Sequence, residues 1–387
     1  MTGRRDAVRE LHRTHVLGVL RDHGSASRTD LMRATGLSRP TISAIVAELI
    51  GSGAIREVGK HTAGTTRGRP SQLLALTPPS GRALSVDIGH AHARAIVADA
   101  AGHIIQERVV GFDRRSPIPD TLKHARRLIA EVTAAANIGT GGTGDLADLI
   151  GVVIGLPSPI DLAAQRPAAA RYRDVRLVEA LGLSSYAGRV SVVNDADLGA
   201  AGEAAFGAGA RFGTFVYVKI SYGVGAGLIL GGRLFQGQGY AGDIGHIRVV
   251  DEGEVCLCGN RGCLETVASS GALLKALQPA HDVPLGFADL VRLADSGDRG
   301  TQALLGDAGR TIGRALAPAV TTLNPEAVVV GGSLGALGGP LVHGLREALD
   351  RYCQPAAVRN LAVSVATCGE HAEVLGGAAL AFDLIAH

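Results

Sequence analysis

Residues 242–265 read GDIGHIRVVDEGEVCLCGNRGCLE, and three of the chain's five cysteines, Cys256, Cys258 and Cys263, fall within eight residues of that stretch. His246 lies ten residues before Cys256. One imidazole and three thiolates complete a tetrahedral zinc shell, and a shell closed by four protein ligands leaves no position for a reactive water. Gly259 and Gly262 let the backbone turn sharply enough to bring three sulfurs to one point. Thiols this dense in a chain otherwise poor in cysteine point to metal ligation rather than to free side chains. The stretch predicts a structural Zn2+ site. Asp243 and His246 before the cysteines, and Glu265 after them, are polar groups that such a metal would fix in place.

At 387 residues the chain is too long for one ordinary core, so two or three domains are expected. Hydrophobic residues make up 46% and aromatics only 3%, with no Trp, so the cores must be built from Ala, Val, Leu and Ile. Residues 1–80 carry 12 Arg and Lys against 6 Asp and Glu, a charge of +6, which leaves −4 for the remainder of a chain at +2 overall. A basic segment ahead of a mildly acidic body predicts a polyanion-binding module joined to something else. The N-terminal MTGRRDAVRELHRTH has no apolar core of the signal-peptide kind. The longest uncharged stretches, such as 327–342, are broken by Gly and Pro and read as strand and turn rather than membrane span. Reduced cysteines and metal ligation predict a cytoplasmic protein.

Within the basic segment, Val8, Leu11, Val16, Val19 and Leu20 fall at helical spacing and predict a first helix ending near Gly24. Residues 27–55, SRTDLMRATGLSRPTISAIVAELIGSGAI, continue it. Ser27 or Thr29 can cap a second helix, Gly36 makes the turn, and Ser38 caps a third helix with Pro40 in its first turn, where a missing N–H costs nothing. Ile42, Ile45, Val46 and Leu49 form the buried stripe of that third helix. Arg39, Thr41 and Ser43 stay near its start, facing outward. A helix, a turn with Gly and a helix that starts with polar residues is the geometry that enters a major groove. Residues 53–76 predict a β-hairpin wing whose tip carries Arg67 and Arg69, placed for phosphate or minor-groove contacts. The candidate contacts to double-stranded DNA are therefore Arg28, Ser38, Arg39, Thr41, Ser43, Arg67 and Arg69. Residues 1–77 read as a winged helix-turn-helix, and Pro78-Pro79 with Ser80-Gly81 as a linker.

Beyond the linker, residues 83–110 and 213–237 each read as strand, turn, strand, turn, strand. Helices are expected at 121–137, 177–181, 197–205, 287–296, 301–323, 341–352 and 374–386. A strand hairpin at the head of each half predicts a duplicated α/β fold. The apolar runs LIGVVIGLP, VSVVND and AVVVGG predict central parallel strands, beyond whose C-terminal ends ligands collect. Asn194-Asp195 follows one such run. The carboxylate can accept the proton of a sugar hydroxyl and the amide can bond another, although the same pair can serve only as a helix cap. Asp87-Ile88-Gly89 closes the first strand, and Gly331-Gly332 follows the last.

Taken together these segments resemble the ROK family, named for repressors, open reading frames and kinases, over essentially the whole chain. Cys256-Leu-Cys258-Gly-Asn-Arg-Gly-Cys263-Leu-Glu265 matches the family's C-x-C-G-x-x-G-C-x-E pattern in full. Asp243-Ile-Gly245-His246 is similar to its E-x-G-H, with Asp in place of Glu. The resemblance implies a two-lobed actin-like, sugar-kinase (RNase H-like) α/β fold behind the winged helix-turn-helix. Its lobes are expected at residues 82–195, closed by a C-terminal helix 374–387, and at 196–373 with the zinc loop. It implies zinc ligation by His246, Cys256, Cys258 and Cys263, and sugar contacts from Asn194, Asp195, Asp243, His246 and Glu265. The GLS start of the third helix and the G-R-P wing resemble the family's repressor branch.

Departures from the kinase pattern shape the expectation. The family's D-x-G-G-T phosphate loop reads Asp87-Ile88-Gly89-His90-Ala91, and its G-T-G loop reads Ser221-Tyr222-Gly223. Its G-x-P-G turn reads Gly155-Leu156-Pro157-Ser158, and the polar residue that follows it in the family has no evident counterpart in AAQRPAAARYRDV (163–175). Phosphoryl transfer depends on positioning and charge stabilisation, so two damaged phosphate loops should cost most of the rate even with a vestigial base, Asp195, in place. The leading expectation is a dimeric repressor, or a dimer of dimers, of carbohydrate genes that binds an operator and senses a sugar or sugar derivative without catalysis. An active sugar kinase with a DNA-binding head, and a regulator that no longer binds sugar, are the alternatives.

Overall fold

The computed structural model describes residues 12–13, 15–20, 24–61, 71–77, 81–138, 149–164, 166–172 and 174–383. Two compact units divide the chain, Met1–Pro79 and Ser80–His387.

In the first unit, α1 (helical at 12–13 and 15–20) precedes β1 (Ala26–Ser27), α2 (Arg28–Thr35), α3 (Arg39–Gly51), β2 (Ile55–His61) and β3 (Ser71–Leu76). Ser27, not Thr29, caps α2. The Asp30 N–H donates to the Ser27 hydroxyl at 3.2 Å and the Ser27 N–H donates to the Asp30 carboxylate at 3.1 Å, a reciprocal capping box. Gly36 ends α2 at φ 68°, a left-handed conformation that glycine adopts without strain. Ile42, Ile45, Val46 and Leu49 of α3 are buried with Val16, Leu20, Leu31, Ile55 and Leu74 in one core. The three strands pair antiparallel in the order β1-β3-β2. The wing tip, with Arg67 and Arg69, lies outside the described residues.

The second unit opens with β4 (Arg82–Ile88), β5 (His92–Ala98), β6 (Ile104–Gly111) and α4 (Ile118–Ala135). Next come β7 (Leu149–Leu156), the short pair β8 (Ile160–Asp161) and β9 (Arg166–Pro167), α5 (Leu177–Ala180), β10 (Val190–Asn194) and α6 (Asp195–Phe206). A second hairpin follows as β11 (Phe215–Ile220), β12 (Val224–Leu230) and β13 (Arg233–Phe235). After the cysteine loop come α7 (Glu265–Ala268), α8 (Ser270–Leu277), α9 (Phe287–Asp295) and α10 (Arg299–Leu323). The chain closes with β14 (Ala327–Gly331), α11 (Gly332–Gly335), α12 (Gly339–Tyr352), α13 (Pro355–Val358), β15 (Ala362–Val365) and α14 (Ala372–Ala381).

Two five-stranded sheets run β10-β7-β4-β5-β6 and β13-β12-β11-β14-β15. Each places the first strand of its half at the centre, antiparallel to its hairpin partner and parallel to the strand that returns after a helix. The duplication expected from the hairpins is therefore present at the level of strand order. Two expectations need correction. VSVVN (β10) is not a central strand; it forms the sheet edge, with one exposed and three half-buried residues, because only β7 pairs with it. The C-terminal helix expected at 374–387 starts at Ala372 and ends at Ala381, with 384–387 outside the described residues.

Alternation along β11 decides which side chains meet. Phe215 and Tyr217 face a core shared with Val153, Val193, Leu198 and Ala379, while Val216, Val218 and Ile220 face the core of α10 and α12. The shared core is built on α6 and α14. These helices approach so closely that a Cβ on Gly202 would strike the Ala372 carbonyl, and one on Gly376 the Leu198 carbonyl. The C-terminal helix packs against β4, β5 and β7, and α6 packs against β11 and β12.

Candidate ligand cleft and metal centre

The parallel strands of both sheets end at one cavity of about 510 Å³. From the first half it is lined by Gly89, His90, His92 and Arg94, by Pro157 and Ser158 after β7, and by Asn194 at the end of β10 and Asp195 at the start of α6. The second half contributes Lys219 and residues 221–225, then Asp243, His246, Glu265, Gly332 and Ser333. All five residues expected to face a ligand, Asn194, Asp195, Asp243, His246 and Glu265, are thus brought together.

Their local roles differ. The Asn194 side-chain oxygen Oδ1 caps α6, accepting from the Ala196 N–H at 2.8 Å and the Asp197 N–H at 3.2 Å, which leaves its side-chain N–H groups free for a ligand. Asp195 is buried, and its Oδ2 takes a hydrogen bond from Lys219 Nζ at 2.8 Å. Burial raises the Asp243 and Glu265 carboxyls above their ordinary values, and His246 pulls both back only in part. A Cβ on Gly223 would stand 2.8 Å from Glu265 Oε2 and 3.5 Å from His90 Nε2, so these two side chains close over that glycine.

The stretch between His246 and Glu265 folds as a knot of short hydrogen bonds. The Cys256 N–H donates to Asn260 at 2.7 Å and the Val249 N–H to Gly262 at 2.8 Å. Gly262 (φ 68°) lies against the Val250 carbonyl, where any side chain would collide. The knot gathers one ligand atom each from His246, Cys256, Cys258 and Cys263 within 4.8 Å of one another. His246 Nδ1 is 3.4 Å from Cys256 Sγ, and Cys258 Sγ is 3.7 Å from Cys263 Sγ, close to the ligand–ligand edges of a small tetrahedral site. Burial, then the neighbouring thiols, push Cys263 up to about 12, a crowding that a bound cation would relieve. The His246 ring spans two environments, with Nδ1 on the cysteines and Nε2 3.9 Å from Asp243 Oδ1 in the cleft. A cluster able to hold a metal ion therefore adjoins the cavity through His246, the one of its four residues that lines it.

In the same cavity, both phosphate loops that differ from the kinase pattern carry larger side chains, His90 and Tyr222. Tyr222 is half-buried with the Arg114 guanidinium 5.8 Å from its ring centre. Burial pushes the His90 imidazole down to about 4, so the ring is neutral at physiological pH. Ser221 Oγ accepts from the Ser333 N–H at 3.0 Å, which occupies a donor at the start of α11. Ser158, in place of the family glycine, donates to the Pro159 carbonyl at 2.9 Å and accepts from the Ala169 N–H at 3.0 Å, stitching its loop shut.

A winged helix-turn-helix DNA-binding pattern matches residues 11–56, and the ROK family pattern matches residues 83–383. The chain belongs to the ROK family. It is 27% identical over 385 residues to the xylose repressor of Bacillus subtilis strain 168, covering 97% of this chain and 96% of that one. Among solved structures, a ROK family transcriptional regulator homologous to the E. coli MLC protein aligns with a TM-score of 0.73 at 25% identity, covering 97% and 96% of the two chains. A ROK family glucokinase from Streptomyces griseus, in complex with glucose and AMPPNP, aligns with a TM-score of 0.63 at 25% identity. It covers 78% of this chain and 99% of the glucokinase. The ROK portion is thus shared with kinases and the DNA-binding head with regulators.

In that head, Ser38, Arg39 and Ser43 are exposed and Thr41 is half-buried at the start of α3. The Ser38 and Thr41 hydroxyls bond each other at 2.8 Å, and Ser38 Oγ accepts from the Thr41 N–H at 3.4 Å. Arg28 lies 3.7 Å from Glu57 of β2, with both side chains partly exposed. Reasoning from sequence read His90 only as a departure in a phosphate loop and missed Lys219 and Glu373, which no motif marked, as cavity residues. Among the described residues, no helix is long and apolar enough to cross a membrane.

Proposed function

We propose that this ROK protein is a transcriptional repressor of carbohydrate genes whose cleft binds a sugar or sugar derivative and does not phosphorylate it. One contrast carries the reading. Asn194, Asp195, Asp243, His246 and Glu265 all remain in the cavity, while His90 and Tyr222 stand in it where the kinase loops carry small residues and the Ser221–Ser333 bond ties up the second of those loops. Carboxylates, an imidazole and an amide suit a polyhydroxylated ligand, whose hydroxyls both donate and accept. Zn2+ held by His246, Cys256, Cys258 and Cys263 plays a structural part, fixing the His246 ring and the chain leading to Glu265. With four protein ligands it would have no open position, so it would supply no Lewis-acid chemistry to the sugar. Asp195, its Oδ2 paired with Lys219, serves here as a hydrogen-bond acceptor for the sugar.

The head reads DNA through Ser38, Arg39, Thr41 and Ser43 on α3, with Arg67 and Arg69 on the wing, and as a dimer it would span two half-sites. Arg28, partly exposed beside Glu57, is a further candidate contact. A cytoplasmic setting suits both the DNA partner and the reduced thiols. Calorimetry of the full chain against a panel of pentoses, hexoses and N-acetylhexosamines tests the sensing role, with coupled ADP release measured alongside. Heat with one sugar and ADP release at background is expected. ADP release in step with that sugar would make the protein a kinase. No heat with any sugar would make it a ligand-independent regulator.

A further inference from the structure

Asp87 and Lys219 occupy equivalent places in the two halves. Asp87 is the sixth residue of β4 and pairs in register with Gly155 of β7; Lys219 is the fifth of β11 and pairs with Gly331 of β14. Each precedes the last, outward-packed isoleucine of its strand, Ile88 or Ile220, so alternation points both towards α6 and α14. The result is one cation from the second sheet set among carboxylates carried by the first half and by the helix packed on it. Lys219 Nζ lies 2.8 Å from Asp195 Oδ2 and 2.8 Å from Glu373 Oε1. Asp87 is 2% exposed, and its Oδ2 meets His92 Nε2 at 3.0 Å. Its Oδ1 is buried with no hydrogen-bond partner among the described residues. Burial alone would raise the Asp87 carboxyl and lower the Lys219 ammonium. The fields of Lys219 and His92 hold Asp87 below its ordinary value, and Asp195, Glu373 and Asp87 carry Lys219 well above its own. Burial outweighs Lys219 at Glu373, which sits above its ordinary value.

Two buried carboxylates meeting at one point, with a third, Asp87, near enough for its field to act there, would ordinarily draw a divalent cation, because hard cations take oxygen ligands and charge left unpaired in the interior is costly. We infer that the Lys219 ammonium is the resident cation of this carboxylate cluster, holding the place such a metal would need and so restricting the cavity to ligands that bring no metal–phosphate group. The residues therefore do not fit a metal–nucleotide complex, whose metal bridges phosphate oxygens during transfer. Lys219 is a specificity-determining residue on this account. The inference rests on the reading of the cleft as a sugar receptor, and deepens it by naming what excludes the nucleotide.

Mn2+ binding to zinc-loaded full-length protein, followed by electron paramagnetic resonance, tests it. Wild type should leave Mn2+ free. Lys219→Ala should bind one further Mn2+ per chain at least about tenfold more tightly than wild type, and Asp87→Asn in the same background should remove that binding. A folded Lys219→Ala protein that takes up no more Mn2+ than wild type overturns the inference. Should Lys219→Ala fail to fold, Lys219→Gln is read by the same criteria. Wild type supplies an independent check, since Mn2+ uptake that Asp87→Asn abolishes, with Lys219 in place, also overturns it. None of these readouts involves sugar, so a chain that binds no sugar but passes the Mn2+ test counts against the sensing role alone.

Discussion

Asp197 stands two residues beyond Asp195 on α6, yet its surroundings give it different chemistry. Gln236 Nε2 donates to its Oδ2 at 3.0 Å, and Oδ1 is buried with no hydrogen-bond partner among the described residues. Burial, which Gln236 only partly offsets, pushes its pKa from 3.8 to about 7. A carboxyl raised in the folded state binds its proton there first. The stability tied to that proton is complete below 3.8 and is lost as pH rises through about 7. Between pH 6 and 8 the wild type should lose about 1 kcal/mol that Asp197→Asn, which still accepts from Gln236, does not. Urea unfolding at both values measures the difference, and equal slopes for the two proteins would refute the assignment. Single residues were legible in the sequence where neighbours gave them meaning, as with Asn194-Asp195 or the three cysteines. Lys219 and Glu373 were not, because only the closing of two sheets onto α6 and α14 brings them to one cavity.

Among the elements, the cysteine loop was the most legible, since its ligands are nearly contiguous and its glycines mark the turns. The hairpins and long helices were legible from periodicity, and α10 and α12 lie close to where it placed them. Less legible were β15, four half-buried residues with a serine in their midst, and β10, whose apolar run suggested a centre although it has a neighbour on one side only. Burial pattern follows from sheet order, which no single run encodes. The loop also offers the clearest element-scale prediction. Cys258 is exposed, yet its Sγ is one of the four converging ligand atoms. Cys258→Ser should lose its metal, by atomic absorption, and speed amide exchange across 246–265, since metal binding and local folding share one free energy. Sugar affinity should fall with it, because His246 and Glu265 lean on the same knot. Full metal content in the variant would end the case for this ligand set.

At the scale of the molecule, the ROK portion encloses its cavity between two copies of one strand plan, and the DNA-reading helix belongs to a separate unit. That separation was legible as a charge step across residue 80, and the duplication as a repeated hairpin. A regulator built this way must couple the two units through a difference in ligand affinity between DNA-competent and DNA-free states. The cleft can supply such a difference, because Asn194 and Asp195 come from one half and Asp243, His246 and Glu265 from the other. A ligand touching both halves binds best at one lobe angle. Coupling of this kind is reciprocal, so if the sugar weakens operator binding by some factor, the operator must weaken sugar binding by the same factor. A tenfold effect corresponds to about 1.4 kcal/mol in either direction. With an operator fragment defined by footprinting, fluorescence anisotropy with and without saturating sugar gives one factor. Calorimetry of the sugar with and without saturating operator gives the other. Equal factors different from one are expected. Sugar that binds with the same affinity whether or not operator is present would mean that the cleft and the head are not linked, and that the cleft answers to something other than transcription.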